Sequence, residues 1–269
     1  MGQIQHFIPS CILKNFGYRE NLKKQNEYFV LNKQQHSIER IKSTSSKKFE
    51  HIVWEYNFYE LMTNKGNILC GTENKLENYF GVFETKFGKV LSKIKTHAEL
   101  VDSDITVILD YTLCQMLRTP RGQKDISDAM IISLETNDTT LQNNLSKCIA
   151  SRYSDIAEVE RLNEDLKLNF LEKHVYILAI APMININTIS FIIGLNLPVV
   201  GNIDFENFER TFYFPVSPSE CIVLSNKTHD NRYIYVNSVE NINFINNIII
   251  QNNDIVLGRN KNILSNFLR

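Results

Sequence analysis

Residues 102–118 read DSDITVILDYTLCQMLR, and Thr119-Pro120-Arg121-Gly122 follows at once. Ile105, Leu109, Leu113 and Met116 recur at helical spacing, and Ile108, Tyr111, Gln115 and Arg118 form a second face. Asp102 or Ser103 can cap the start, and the Thr-Pro step stops the helix. A helix apolar on two faces belongs in the centre of a fold. An arginine on such a helix needs an anionic partner, because burying an unpaired guanidinium is costly. This one stretch therefore sets the middle of the molecule and marks a candidate anion-handling site.

Upstream, Glu73–Lys95 reads as a long helix, with Leu76, Phe80, Phe83, Phe87, Val90, Leu91 and Ile94 at helical spacing. Glu77, Gly81, Glu84 and Gly88 form a second stripe within about 60° of arc. Mid-helix glycines each cost about 1 kcal/mol, so the repeat points to close approach by another element; solvated glutamates on an ordinary packing face are the plainer reading. Downstream, 123–135 and 138–150 read as helices, and 152–171 as a charged helix covering the surface.

Beyond residue 173 the pattern changes. His174–Ile180, Ile189–Gly194, Glu209–Phe214, Cys221–Ser225 and Arg232–Val236 are strand-like, punctuated by Pro182, Pro198, Pro215 and Pro218. Residues 238–253 return to helix, Ile255–Leu257 suggests a short strand, and Asn262–Leu268 a last helical turn. At the other end, residues 1–20 read as a loop and a short helix around Ser10–Phe16. Glu27–Asn32 and Ser37–Lys42 form a hairpin through Lys33–His36. Trp54, Tyr56, Phe58 and Tyr59 form an aromatic cluster, either a core anchor or a base-stacking platform.

The layout is α+β, without βαβ alternation. We expect a central helical bundle over about 73–171, packed with a mixed or antiparallel sheet built from N-terminal and C-terminal strands. Residues 1–269 should form a single domain of two intimately packed lobes, 1–172 mainly helical and 173–269 strand-rich.

The 269 residues are 43% hydrophobic and 22% charged, with a net charge of −1. That balance lacks the global basic field of nonspecific DNA binders, so any nucleic-acid contact is local. Cys11, Cys70, Cys114, Cys148 and Cys221 form no C-x-x-C pair, which fits reduced thiols in a cytoplasm. No signal peptide and no bilayer-long apolar run is present, so the chain reads as cytoplasmic with no membrane partner. Walker A, G-x-G-x-x-G, H-E-x-x-H and G-x-S-x-G motifs are absent. Asp102-x-Asp104 and Asp125-x-x-Asp128 read as helix caps. No metal site and no cofactor is expected, although carboxylates of a metal-dependent nuclease need not be close in sequence.

Several motifs recur in a fixed order: Gln5-His6-Phe7-Ile8-Pro9 with Leu13 and Asn15-Phe16, Phe58-Tyr59-Glu60, Gln115-x-x-Arg118-Thr119-Pro120-Arg121, Phe191-Ile192-Ile193 before Asn196-Leu197-Pro198-Val199, Phe214-Pro215-Val216-Ser217-Pro218, and Asn246-Asn247. In this the chain resembles the mainly microbial domain of unknown function four-two-three-eight, over nearly its whole length. The resemblance carries over His6, Gln115, Arg118, Arg121, Asn196, Pro198 and Pro215, and no assigned activity. One departure stands out. The family's usual Thr-Ser-Asp-Asn-Pro is Gly194-Leu195-Asn196-Leu197-Pro198 here, with asparagine at the aspartate position. A general base or ligand would be lost there, whereas a turn acceptor would be kept.

His6 can exchange protons near neutrality, Arg118 and Arg121 can grip a phosphate, and Gln115 can orient a water. These four are the candidate catalytic residues, with Asn196, Tyr59 and Glu84 as substrate contacts. The set suits metal-independent cleavage of a phosphodiester in RNA or a nucleotide. Together with the scattered, accessory-gene character of the resembled family, it suggests an effector or toxin-like enzyme of phage defence, with a regulatory protein as a further partner. Two alternatives remain open: a non-catalytic module that binds a ligand or protein, and a purely structural role in which Arg118 pairs with Glu77, Glu84 or Asp110.

Overall fold

The computed structural model describes residues 4–17, 27–42, 52–60, 75–121, 173–204 and 209–268, with a few positions between 63 and 68. The helices expected over 123–171, and with them most of the expected bundle, lie outside the described residues.

The helical centre is an antiparallel pair, α2 (Lys75–Lys95) and α3 (Asp102–Arg118). Phe80, Phe87, Val90, Leu91 and Ile94 of α2 are buried, as their spacing requires. On α3, Ile108, Leu109, Tyr111, Thr112, Leu113, Cys114, Gln115 and Arg118 are all buried, so the helix is central as expected. Its N-cap is Val101, and neither Asp102 nor Ser103 caps it. Asp104 reaches back instead, accepting from Val101 N at 3.0 Å and pairing with Lys93 at 2.7 Å. One carboxylate thus satisfies the helix start and ties the last turn of α2 to it.

No described residue comes close to the glycines of α2. A Cβ at Gly81 or Gly88 would meet nothing within 4 Å. The plainer reading of that stripe holds for the glycines, but the glutamates beside them have a partner, described below.

The fold is α+β as expected, and its strands are divided among three sheets within the described residues. The first pairs β1 (Ile4–His6) with β4 (Trp54–Tyr56). The second has four antiparallel strands in the order β3-β2-β11-β6: β2 (Glu27–Asn32), β3 (Ser37–Lys42), β11 (Ile255–Gly258) and β6 (Ile193–Gly194). Here N-terminal and C-terminal strands do share a sheet, as expected. The third is mixed, in the order β10-β5-β9-β8-β7. Its strands are β5 (His174–Ile180), β7 (Val199–Asp204), β8 (Glu209–Pro215), β9 (Glu220–Ser225) and β10 (Tyr233–Val236). Only β10–β5 is parallel, and every residue of β9 is buried.

Strands β1, β4 and β7 were not foreseen. The first two have three residues each, too few to show alternation. The expected strand 189–194 shrinks to its last two residues. The helix α4 (Val239–Gln251) explains why: Asn246, fully buried, accepts from Ile192 N at 3.2 Å and donates to Ser190 O at 2.9 Å. A side-chain amide takes the place of a neighbouring strand. The short helices α1 (Ser10–Phe16) and α5 (Lys261–Ser265) complete the described elements. One apolar core gathers side chains from α1, β2, α2, α3, β5, β8, β9, α4 and β11.

Candidate functional site

The short β1 strand carries the site. Gln5 is fully buried and holds two partners: its Nε2 donates to Glu60 Oε1 at 2.7 Å, and its Oε1 accepts from Tyr59 N at 2.5 Å. A side-chain amide thereby fixes the Phe58-Tyr59-Glu60 turn against β1.

The carbonyls leaving β1 are taken up by α3. Gln115 Nε2 donates to Phe7 O at 2.7 Å, and Arg118 Nε donates to His6 O at 2.8 Å. Gln115 and Arg118 stand one turn apart, so adjacent donors on one helix face capture adjacent carbonyls. The Tyr59 hydroxyl lies 3.0 Å from the same His6 carbonyl and accepts from Arg118 Nε at 3.1 Å. This answers for Tyr59: it is a core anchor, 2% exposed, and not a stacking platform.

Arg118 is 1% exposed. Its Nη1 makes a short hydrogen bond to Glu84, and its Nη2 faces Glu77 Oε2 at 3.7 Å. The guanidinium also lies over the rings of Phe80 (5.2 Å) and Tyr59 (5.8 Å). Glu77, Phe80 and Glu84 are one face of α2, so the acidic stripe seen in the sequence closes over the arginine. Burial opposes the charge on Arg118, but Tyr59, Glu84 and Glu77 outweigh it and hold the guanidinium protonated more firmly than usual. A bidentate phosphate grip by Arg118 is therefore corrected. Its Nε and Nη1 are already engaged, and carboxylates of its own chain occupy the place an anion would take. Of the three partners the sequence offered, Glu77 and Glu84 are the ones at hand.

Buried polar atoms at this junction are left over. Arg118 Nη2, Glu77 Oε2, Gln115 Oε1 and Tyr111 OH have no hydrogen-bond partner among the described residues. Such groups cost about 1–3 kcal/mol each and mark places where stability is not the sole requirement.

The titratable groups around the junction are displaced. Burial and the charge of Arg118 lower the His6 pKa from 6.5, with Glu84 opposing, so its imidazole is neutral at physiological pH. The His6 ring, half-buried, makes no hydrogen bond to any described residue. Glu77 is raised by burial and by the charges of Glu84 and Glu60, against the pull of Arg118. Burial and the Glu84 charge push the Cys11 thiol up to about 11, so it is no thiolate nucleophile.

Arg121 and Asn196 meet a short way along. Arg121 N donates to Asn196 Oδ1 at 3.3 Å, and its guanidinium donates to Asn252 Oδ1 at 3.1 Å. Asn196 N is held by Asn253 Oδ1 at 2.6 Å. Asn196 thus uses its side-chain oxygen to accept from the distant Arg121 backbone, a job that aspartate could also do, while its Nδ2 faces Asn252 O at 3.5 Å. Three residues of chain separate Arg121 from Arg118, so their Cα atoms lie within about 11 Å. Arg121 is exposed, unlike Arg118.

Of the sequence-derived residues, His6, Tyr59, Glu84, Gln115 and Arg118 come together, and Arg121 and Asn196 form a neighbouring pair. Sequence reasoning passed over Gln5, Glu60, Asn252 and Asn253 as site residues. Gln5 and Glu60 stood inside the quoted motifs, whereas the two asparagines follow α4 with no signal beyond their polarity. Among the described residues, no group of three or more His, Cys, Asp and Glu side chains could hold a metal ion. No helix among the described residues is long and apolar enough to cross a membrane.

No curated protein and no solved structure matches the chain. The model of one family, described as Protein of unknown function (DUF4238), matches residues 4–262, a span that takes in every residue of the junction. The chain belongs to that family.

Proposed function

We propose that this protein is a nuclease-like enzyme that cleaves a phosphodiester of RNA or a nucleotide without a metal, working in the cytoplasm as an effector or toxin of antiviral defence. One observation carries the reading. His6, Tyr59 and Arg118, motif residues from three distant stretches of sequence, meet at the His6 carbonyl, with Glu77 and Glu84 against the guanidinium and the charge of Arg118 acting on the His6 imidazole. Packing alone does not require that convergence. In this reading His6 is the general base. Arg118 helps burial to keep the imidazole neutral and stabilises negative charge that develops beside it. Arg121, exposed and close by, is the residue that contacts the substrate phosphate.

Expression in a bacterial host, with total RNA examined at intervals, tests the proposal. The parent should fragment RNA and arrest growth, and His6→Ala should do neither while folding normally. Intact RNA in the parent, or equal damage by His6→Ala, would overturn it.

A second reading has its own support. The burial of Arg118 also suits a non-catalytic module that binds a ligand or a regulatory protein through the Arg121–Asn196–Asn252 surface. It predicts partner-induced thermal stabilisation that is lost on Arg121→Ala, without turnover.

A further inference from the structure

The guanidinium of Arg118 treats its two glutamates unequally. Glu84 takes a direct hydrogen bond from Nη1. Glu77 stops at 3.7 Å from Nη2, and both atoms facing that gap are buried and without a hydrogen bond among the described residues. The Glu77 side chain is nevertheless 28% exposed as a whole, against 1% for that of Arg118. The two glutamates stand seven residues apart on α2, two turns along one face, and converge on one planar cation.

Charge decides what such a trio can admit. With both glutamates ionised, the trio carries a net negative charge and repels a phosphodiester. With Glu77 protonated the trio is neutral, and a polyanion can approach. Glu84 is the poorer choice for the proton, because its oxygen already accepts from Nη1.

We infer that Glu77 is the proton donor of the reaction, while Glu84 is the fixed counter-ion that orients Arg118. This rests on the nuclease reading above and adds to it the second half of an acid–base pair. The groups facing Glu77 fit that role: Arg118 on α3, Glu84 on its own helix, and Glu60 beyond β4. Burial and the two neighbouring carboxylates favour the protonated form, and Arg118 tempers the effect.

The step balances on RNA. The 2′-oxygen attacks phosphorus and its proton passes to His6 Nδ1 or Nε2. The bond from phosphorus to the 5′-oxygen breaks, and Glu77 gives its proton to that oxygen. The products are a 2′,3′-cyclic phosphate and a 5′-hydroxyl. His6 then loses its proton to water and Glu77 regains one, which restores the starting state.

The test compares Glu77→Gln with the parent on two dinucleotides. One has the natural 5′-oxygen, and the other has sulfur at that bridging position. A thiolate leaves without a proton, so Glu77→Gln should lose on the order of 10²–10⁴-fold with oxygen and almost nothing with sulfur. A parent active on the oxygen substrate with an equally active Glu77→Gln overturns the role of Glu77 and leaves the nuclease reading standing. A parent inactive on both substrates overturns both. Independently of cleavage, carboxyl NMR of the ¹³C-glutamate-labelled full chain should show the resonance lost in Glu77→Gln titrating above the ordinary carboxylate range. Titration within or below that range overturns the proposal.

Discussion

Arg118 is the residue on which the two halves of this reading turn. Its charge is 1% exposed and held by Glu84, with Glu77 close by. Removing one partner of a buried pair strands the other, at a cost of about 3–5 kcal/mol. Arg118→Ala should therefore lower Tm by on the order of 10 °C in a protein of this size, measured by calorimetry. Glu84→Gln should cost more than Glu77→Gln, because only Glu84 is hydrogen-bonded to the guanidinium. Equal losses would mean that the two carboxylates are interchangeable. His6 makes a separate forecast. Its pKa is depressed in the folded state, so the unfolded chain takes up a proton near pH 6.5 that the folded chain refuses. The stability from the neutral imidazole is present above that pH and is lost as pH falls through the folded value. His6→Gln should flatten the stability curve below pH 6.5 in denaturant titrations. An unchanged acid slope would show that the imidazole is not held neutral.

Elements show why part of the fold was legible in the sequence and part was not. The bounds of α3, β2 and β5 follow from their apolar residues, which are buried against the core, whereas β3, with only Ile41 buried, is placed by the polar turn that joins it to β2. Segment 189–192 is as apolar as a strand, but its backbone is satisfied by a side chain 54 residues or more away, and periodicity carries no trace of that. The same holds at the site. The pairing of Arg118 with the Glu77/Glu84 stripe could be read from charge spacing, whereas the capture of the His6 and Phe7 carbonyls could not. Asn246→Ala tests the substitution of amide for strand. It leaves Ile192 N and Ser190 O buried and unpaired, which should cost roughly 2–4 kcal/mol. Asn246→Asp keeps the acceptor for Ile192 N and loses the donor, so it should fall between wild type and alanine. Gly194 offers a second check on the neighbouring strand. A Cβ there would come within 2.2 Å of the Asn253 side chain, which itself holds Asn196. Gly194→Ala should therefore dislodge the Arg121–Asn196 pair, and Asn253→Ala in the same chain should relieve the clash.

At the scale of the whole molecule, the β1–β4 sheet is the smallest of the described sheets. Two strands of three residues are not stable alone. They stay in place because Gln115 and Arg118 hold the carbonyls of Phe7 and His6, and because Gln5 pins the Tyr59 turn. Asn15 adds a tie from α1 to Val216 O at 2.9 Å. The five-stranded sheet needs none of this, since β9 is buried along its entire length and its neighbours pair with it on both sides. The arginine that organises the site is thus also the bolt that fastens the N-terminal strand to the core. Hydrogen exchange separates these two levels of stability. In Arg118→Met, amides of residues 4–8 and 53–60 should lose protection by orders of magnitude, while those of β5, β8 and β9 keep theirs. Uniform loss across all strands would mean that the junction is part of the global folding unit. Selective loss would mean that the histidine sits on an element able to open while the rest of the molecule stays folded.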